Sequence, residues 1–169
     1  SSSVASELSS GVVEIFSTSG AFAALKLDGS VVTWGERNYG GDSSSSDTVN
    51  STRDVASERS SGVTEVFSSP GSFSFAALKE DGSVVTWGYS EYGGDSSSVA
   101  SKLSSGVSTI FSNMYAFAAL KDDGSVVTWG RSEHGGDSSS VASELSSGVV
   151  EIFSTHAAFA ALKLDGSVV

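Results

Sequence analysis

The twelve residues AFAALKLDGSVV, Ala21 to Val32, recur letter for letter at Ala158 to Val169. Two variants, FAALKEDGSVVTWG from Phe75 and FAALKDDGSVVTWG from Phe117, turn the coincidence into a period. The pattern within the stretch is that of a hairpin. FAALK from Phe22 and SVVTW from Ser30 are short strand-like runs bounded by Gly, Ser and Asp. Between them, Asp28-Gly29 reads as a two-residue hairpin turn, because glycine accepts the positive φ that tight turns require. GVVEIF from Gly11 supplies a third strand ahead of the pair, so each repeat predicts three strands.

The turn aspartates Asp28, Asp81, Asp123 and Asp165 lie 53, 42 and 42 residues apart, and Trp34, Trp87 and Trp129 follow the same spacing. Four units result: 1–42, 43–95, 96–137 and 138–169, the last stopping before its TWG. Unit two is longer by 11 residues, through SDTVNSTRD at Ser46 to Asp54 and two extra residues in SPGSFS. Between strands, SSSVASELSSG pairs Val4 with Leu8, Val99 with Leu103 and Val141 with Leu145 at helical spacing. This predicts a short helix, capped by Ser at its start and ended by Gly11, Gly106 or Gly148; an outer strand is the alternative. Arg59 replaces the leucine in unit two, so that segment is expected to dock less firmly. The fold class expected is mainly β: a tandem array of three-stranded, blade-like units with a short helix between them.

At 38% apolar residues, the 169-residue chain can build a core. No apolar run reaches the roughly 18 residues of a membrane span, and the start resembles no signal peptide. The first residue is Ser1, so a processed product or a piece of a longer array is expected. Nine basic against 20 acidic residues give a net charge of −11, which opposes nucleic acid and anionic membranes and suits basic partners or cations, the alternative being that acidity keeps a Ser-rich surface soluble. Without cysteine there is no disulfide, thiolate catalysis or Cys-ligated metal, and the compartment stays open.

FAALKLDGSVVTWGERNYGGD resembles the repeat of the regulator of chromosome condensation family, whose units are β-propeller blades with the same Ala-Leu, Asp-Gly and Trp-Gly landmarks. The likeness runs through essentially the whole chain. It departs from the family in Ser-Thr or Ser-Asn after the first strand, in GGD after Trp-Gly where Gly-Gln-Leu-Gly is usual, and in its longer helix-like segment. The resemblance implies a propeller architecture. Because fewer than four complete units are present and closed propellers take four to eight blades, a partial propeller or open arc is expected. It also implies a partner-binding platform; the shared residues are structural, so the nucleotide-exchange activity of one branch transfers to no position here.

The copies diverge in two loops. After the first strand they read TSGA at Thr18, SPGSFS at Ser69, NMYA at Asn113 and THAA at Thr155; after Trp-Gly they read ERNY at Glu36, YSEY at Tyr89 and RSEH at Arg131. Strands running up, down and up put both loops on one edge and the Asp-Gly turns on the other. That edge is the candidate binding surface, with Arg37, Tyr39, Phe73, Tyr89, Tyr92, Met114, Tyr115, Arg131, His134 and His156 as candidate partner-binding residues; the alternative is drift in unconstrained loops whose side chains cover the loop bases. The recurring tryptophans read as core or inter-unit packing.

No nucleophile elbow, H-E-x-x-H pair or phosphate-cradling loop is present, and HGGDSSS at His134 places His, Asp and Ser close only in sequence. Catalytic residues, metal ligands and cofactors are therefore expected to be none. Asn50 in NST matches a glycosylation acceptor. The function expected is a non-catalytic scaffold for protein–protein interaction, an accessory subunit of a larger assembly or a homo-oligomer. The alternatives are a carbohydrate- or ion-binding module and, third, an enzyme.

Overall fold

The computed structural model describes residues 2–41, 56–68 and 71–169. The insertion at Ser46 to Asp54 and the acceptor Asn50 lie outside them. Among the described residues one short α-helix, α1 (Ser2–Glu7), precedes eleven strands. The first blade contains β1 (Val12–Ser17), β2 (Ala21–Lys26) and β3 (Val31–Gly35), and the second β4 (Val63–Phe67), β5 (Ser74–Lys79) and β6 (Val84–Gly88). The third contains β7 (Val107–Ser112), β8 (Ala116–Lys121) and β9 (Val126–Gly130); the fourth has β10 (Val149–Ser154) and β11 (Phe159–Lys163). In each complete blade the order follows the chain and all pairs are antiparallel, and among the described residues no strand pairs across blades. The fourth blade only begins its third strand: Val169 and Ala161 exchange backbone hydrogen bonds of 2.9 and 2.7 Å.

The hairpin turn is one residue longer than the Asp-Gly pair predicts. The Lys26 N–H donates to the Ser30 carbonyl and the Gly29 N–H to the Lys26 carbonyl, both at 2.9 Å, enclosing Leu27-Asp28-Gly29. Gly29, at φ +74°, takes the left-handed position of a three-residue loop. Asp28 fixes the turn: its Oδ1 accepts from the Ser30 N–H at 3.0 Å and the Ser30 hydroxyl at 2.6 Å. Asp81, Asp123 and Asp165 repeat both bonds.

The helix expectation holds only for α1. Before the third and fourth blades the same segment forms 3-10 turns at Ser97–Val99, Ser139–Val141 and Glu144–Ser146. The run SSSVASELSS stands at both 1–10 and 138–147, so its residues alone do not decide between α1 and the 3-10 turns; the second copy differs in following Gly135-Gly136-Asp137 of the unit before it. Its start is fixed by aspartate rather than serine: Asp95 and Asp137 each accept from the N–H two residues on, at 2.9 Å. The segment still buries the residues the spacing selected, Leu103 and Leu145. Its end is held by lysines, whose Nζ groups donate to carbonyls: Lys26 to Glu7, Lys121 to Lys102 and Lys163 to Glu144.

Arg59 contradicts the expectation of looser docking. It is 4% exposed, its Nη1 donates to the Val31 carbonyl at 3.2 Å, and its guanidinium lies over the Trp87 ring. The long aliphatic stem fills the leucine site while the planar cation stacks on the indole.

The core lies between blades rather than within one. Each of three apolar clusters joins a blade to the next: Ala23, Leu25 and Val31 meet Val66, Phe75 and Trp87, and the pattern repeats at the following junctions. The middle strands β5 and β8 are buried on both faces, which explains the unbroken apolar run of FAAL where an exposed sheet would alternate. Paired alanines at their centres, all 0% exposed, let blades approach closely. As the spacing indicated, tryptophans belong to this packing: Trp87 and Trp129 stack on Phe75 and Phe117 at 5.2 and 5.3 Å. The result is a mainly β array of stacked blades, a partial propeller or open arc.

Candidate functional site

In the three complete blades the loops after the first and third strands meet, and a side chain in the first loop or at its end tethers the backbone of the second. Thr18 Oγ1 donates to the Tyr39 carbonyl at 3.1 Å, Ser74 Oγ to the Tyr92 carbonyl at 2.6 Å, and Asn113 Nδ2 to the His134 carbonyl at 2.9 Å. Asn113 is buried, and its Oδ1 also accepts from the N–H groups of Tyr115 and Ala116, both at 2.8 Å. Neighbouring blades join along the same edge, where the Ser19 N–H donates to the Ser72 carbonyl at 2.9 Å and the Met114 N–H to the His156 carbonyl at 3.4 Å.

These tethers set the rings in a row. Tyr39 of the first blade lies 5.3 Å from Phe73 of the second; Phe73 lies 4.9 Å from Tyr92, and Tyr92 5.4 Å from Tyr115 of the third. Tyr115 contacts His134 at 4.3 Å and His156 of the fourth blade at 5.6 Å, and Tyr89 stacks on Tyr92 at 4.9 Å. Arg131 lies over Tyr92 and Tyr115, at 5.7 and 6.0 Å, and its Nη1 donates to the Tyr92 hydroxyl at 3.3 Å. An ion pair of 3.1 Å with Glu133 holds the guanidinium there; it raises the Arg131 pKa and lowers that of Glu133, through the shared hydrogen bond first.

Eight of the ten residues selected from the sequence thus stand in one contact network across four blades. Met114 flanks it beside Tyr115, and Arg37 opens the 3-10 turn that ends at Tyr39. His156 is exposed and the other nine are half-buried. Sequence reasoning missed Thr18, Ser74 and Asn113. Their signal was a hydroxyl or amide group in the diverging loop, the residue type that bonds nearby backbone.

The HGGDSSS motif serves structure: His134 packs on Tyr115, while Asp137 accepts from the Ser139 N–H, which lowers its pKa. Among the described residues no group of three or more His, Asp or Glu is placed to hold a metal ion, and no helix is long and apolar enough to cross a membrane. Chemically, the edge offers aromatic faces, hydroxyls and one fixed cation. That combination is typical of the centre of protein interfaces.

No family model and no curated protein sequence matches the chain. Solved structures do. Human WBSCR16 matches with a TM-score of 0.59 at 19% identity, over 96% of this chain and 48% of that one. Prp20p from Saccharomyces cerevisiae, described with its binding properties to Gsp1p and histones, matches with a TM-score of 0.52 at 20% identity, over 93% and 42%. Yeast RCC1 (Prp20) with bound Kap60 gives 0.52 at 18%, over 93% and 41%. The chain therefore spans less than half the length of these proteins. Blade by blade and in their stacking, its residues adopt the RCC1-type β-propeller repeat fold.

Proposed function

We propose that this chain is a non-catalytic repeat scaffold that binds another protein through the aromatic edge, as an accessory part of a larger assembly. The observation that carries this reading is the continuous row from Tyr39 through Phe73, Tyr92 and Tyr115 to His156, with Arg131 held over its centre. Rings locked against one another lose little freedom when a partner lands on them, which is the property of interface anchors. The same reading divides the chain into units 1–42, 43–95, 96–137 and 138–169, each giving one segment of the edge. Partners of structurally similar proteins are themselves proteins: Gsp1p, histones and Kap60 for the yeast Prp20 protein. The net charge of −11 favours a partner with a basic surface.

The test is a pull-down from native extract with the wild-type chain and the variant Y89S/R131A/H156S, followed by identification of the captured proteins. A specific protein captured by the wild type, and recovered about tenfold less by the folded variant, is the expected result. Equal recovery by both, or binding to a glycan array with no protein captured, contradicts it.

A further inference from the structure

β9 is the last strand of the third blade, and among the described residues no further strand pairs with it. Its register fixes which backbone groups are left over. The Lys121 N–H donates to the Ser125 carbonyl at the hairpin turn, so Val127 and Trp129, opposite Ala119 and Phe117, share the bonds to β8. Val126 and Thr128 turn their N–H and C=O groups the other way, to the free edge. On the first two blades the segment leading to the next blade takes the first such donor: the Val31 N–H donates to the Arg59 carbonyl and the Val84 N–H to the Leu103 carbonyl, both at 2.9 Å. At the third blade Leu145 stands inside the 3-10 turn Glu144–Ser146, and among the described residues Val126 donates no counterpart bond to it.

Edge strands are normally guarded against pairing by charge, proline or a bulge. β9, with the sequence VVTWG, has neither charge nor proline, and its register runs without a shift; the bulge of this blade lies between Val107 and Thr109 of β7. A cleft of about 710 Å³ runs along all of β9, with Val99 and Lys102 from the segment before the blade and Ala142 and Leu145 from the segment after it. Val99 packs with the cluster on the second-blade side and Leu145 with that on the fourth-blade side, so the strand lies between two walls. Val126 and Thr128 are half-buried in the cleft.

We propose that this cleft receives an extended segment of a partner protein, which adds to β9 as a fourth, antiparallel strand. Main-chain bonds to Val126 and Thr128 hold such a segment, and the two walls read its alternate side chains. Val99 on one side and Leu145 on the other suit β-branched residues. The ends of the cleft differ in charge. Lys121 Nζ donates to the Lys102 carbonyl at 2.9 Å, which sets both lysines where β9 begins, while Thr128 Oγ1 donates to Ser138 Oγ at 2.9 Å and brings Asp137 alongside, farther on. An antiparallel segment therefore ends at the lysines, where an acidic residue is favoured, and carries a basic one nearer its start. This docking uses the backbone of β9 and does not depend on the aromatic edge.

The experiment is amide hydrogen exchange, read by NMR, on the chain with the acetylated and amidated peptide Lys-Thr-Val-Thr-Val-Glu. At about 1 mM peptide and a Kd of about 100 μM, exchange at Val126 and Thr128 is expected to slow about tenfold, while Val127 and Trp129, already bonded to β8, change little. The same peptide with every backbone nitrogen methylated keeps its side chains but cannot donate, and is expected to leave all four unchanged. No slowing with the unmodified peptide overturns the proposal, as does protection confined to the aromatic edge. Equal slowing by both peptides overturns strand addition, because side-chain contact alone would then account for it.

Discussion

The guanidinium carbon of Arg59 lies 4.8 Å from the centroid of the Trp87 ring, at the junction of the first two blades. Leucine occupies the same position at the next two junctions, Leu103 and Leu145, and is equally buried. R59A removes the stem, the stacked cation and the bond to Val31 together, and is expected to cost about 2–3 kcal/mol. R59L restores the shape used elsewhere in the chain without a buried charge, and should stay within about 1 kcal/mol of wild type. Urea denaturation of both variants checks the pair; R59A matching the wild type would show that the cation contributes nothing.

The glycine of the hairpin turn has two roles that can be separated. Gly82 has φ +73°, and a Cβ there would stand 2.7 Å from the Gly106 nitrogen of the next blade; Gly166 has φ +82° with nothing within 4 Å. Left-handed backbone alone costs an L-residue about 1–2 kcal/mol. G166A is expected to show about that loss, and G82A at least twice as much, in chemical denaturation at low protein concentration. Equal losses would mean that blade stacking does not depend on this close approach.

Asn113 ties the two variable loops of the third blade with three hydrogen bonds while 3% exposed. N113A leaves buried backbone groups unsatisfied and should cost about 2–3 kcal/mol. It should also speed amide exchange at Tyr115 and Ala116, whose N–H groups lose their acceptor. Wild-type exchange at both would remove Asn113 as the organiser of the edge.

The pKa values of the four turn aspartates are lowered, by the serine hydroxyl first and the serine backbone N–H second. A carboxyl group with a folded pKa below its unfolded value contributes stability above the ordinary value of 3.8, and that stability is lost as pH falls from there through the lowered folded values. The melting temperature should therefore drop below about pH 4. D28N/D81N/D123N/D165N keeps the turn-forming side-chain oxygen without the charge, so its acid limb should be flatter. Parallel acid limbs would place the sensitive carboxylates elsewhere.

Much of this architecture was legible in the sequence because repetition turns weak local signals into strong ones. The Asp-Gly landmarks located every hairpin, and alternating strand direction was enough to bring the loops of Tyr39, Tyr92 and His134 to the edge shared with Phe73 and Tyr115. The residues that define that edge were readable as well, since divergence among copies marks where packing does not dictate identity. What stayed hidden depended on distance in space. The position of Arg59 is set by the indole of Trp87, 28 residues away, and helical spacing could not report that the preceding Asp95 holds the start of a 3-10 turn. The tethers from Thr18, Ser74 and Asn113 join residues about 20 apart, which no local pattern reveals.

In the proposed function the aromatic edge, rather than the Asp-Gly edge, receives a protein partner. Hydrogen–deuterium exchange of the chain alone and in complex with the protein it captures tests this most directly. Slowed exchange is expected in the complex around Tyr39, Tyr89 to Tyr92, Met114 to Tyr115 and Arg131 to His134, with unchanged exchange at Asp28-Gly29, Asp81-Gly82 and Asp123-Gly124. Protection confined to those turns, with the aromatic edge exchanging as in the single chain, would contradict it.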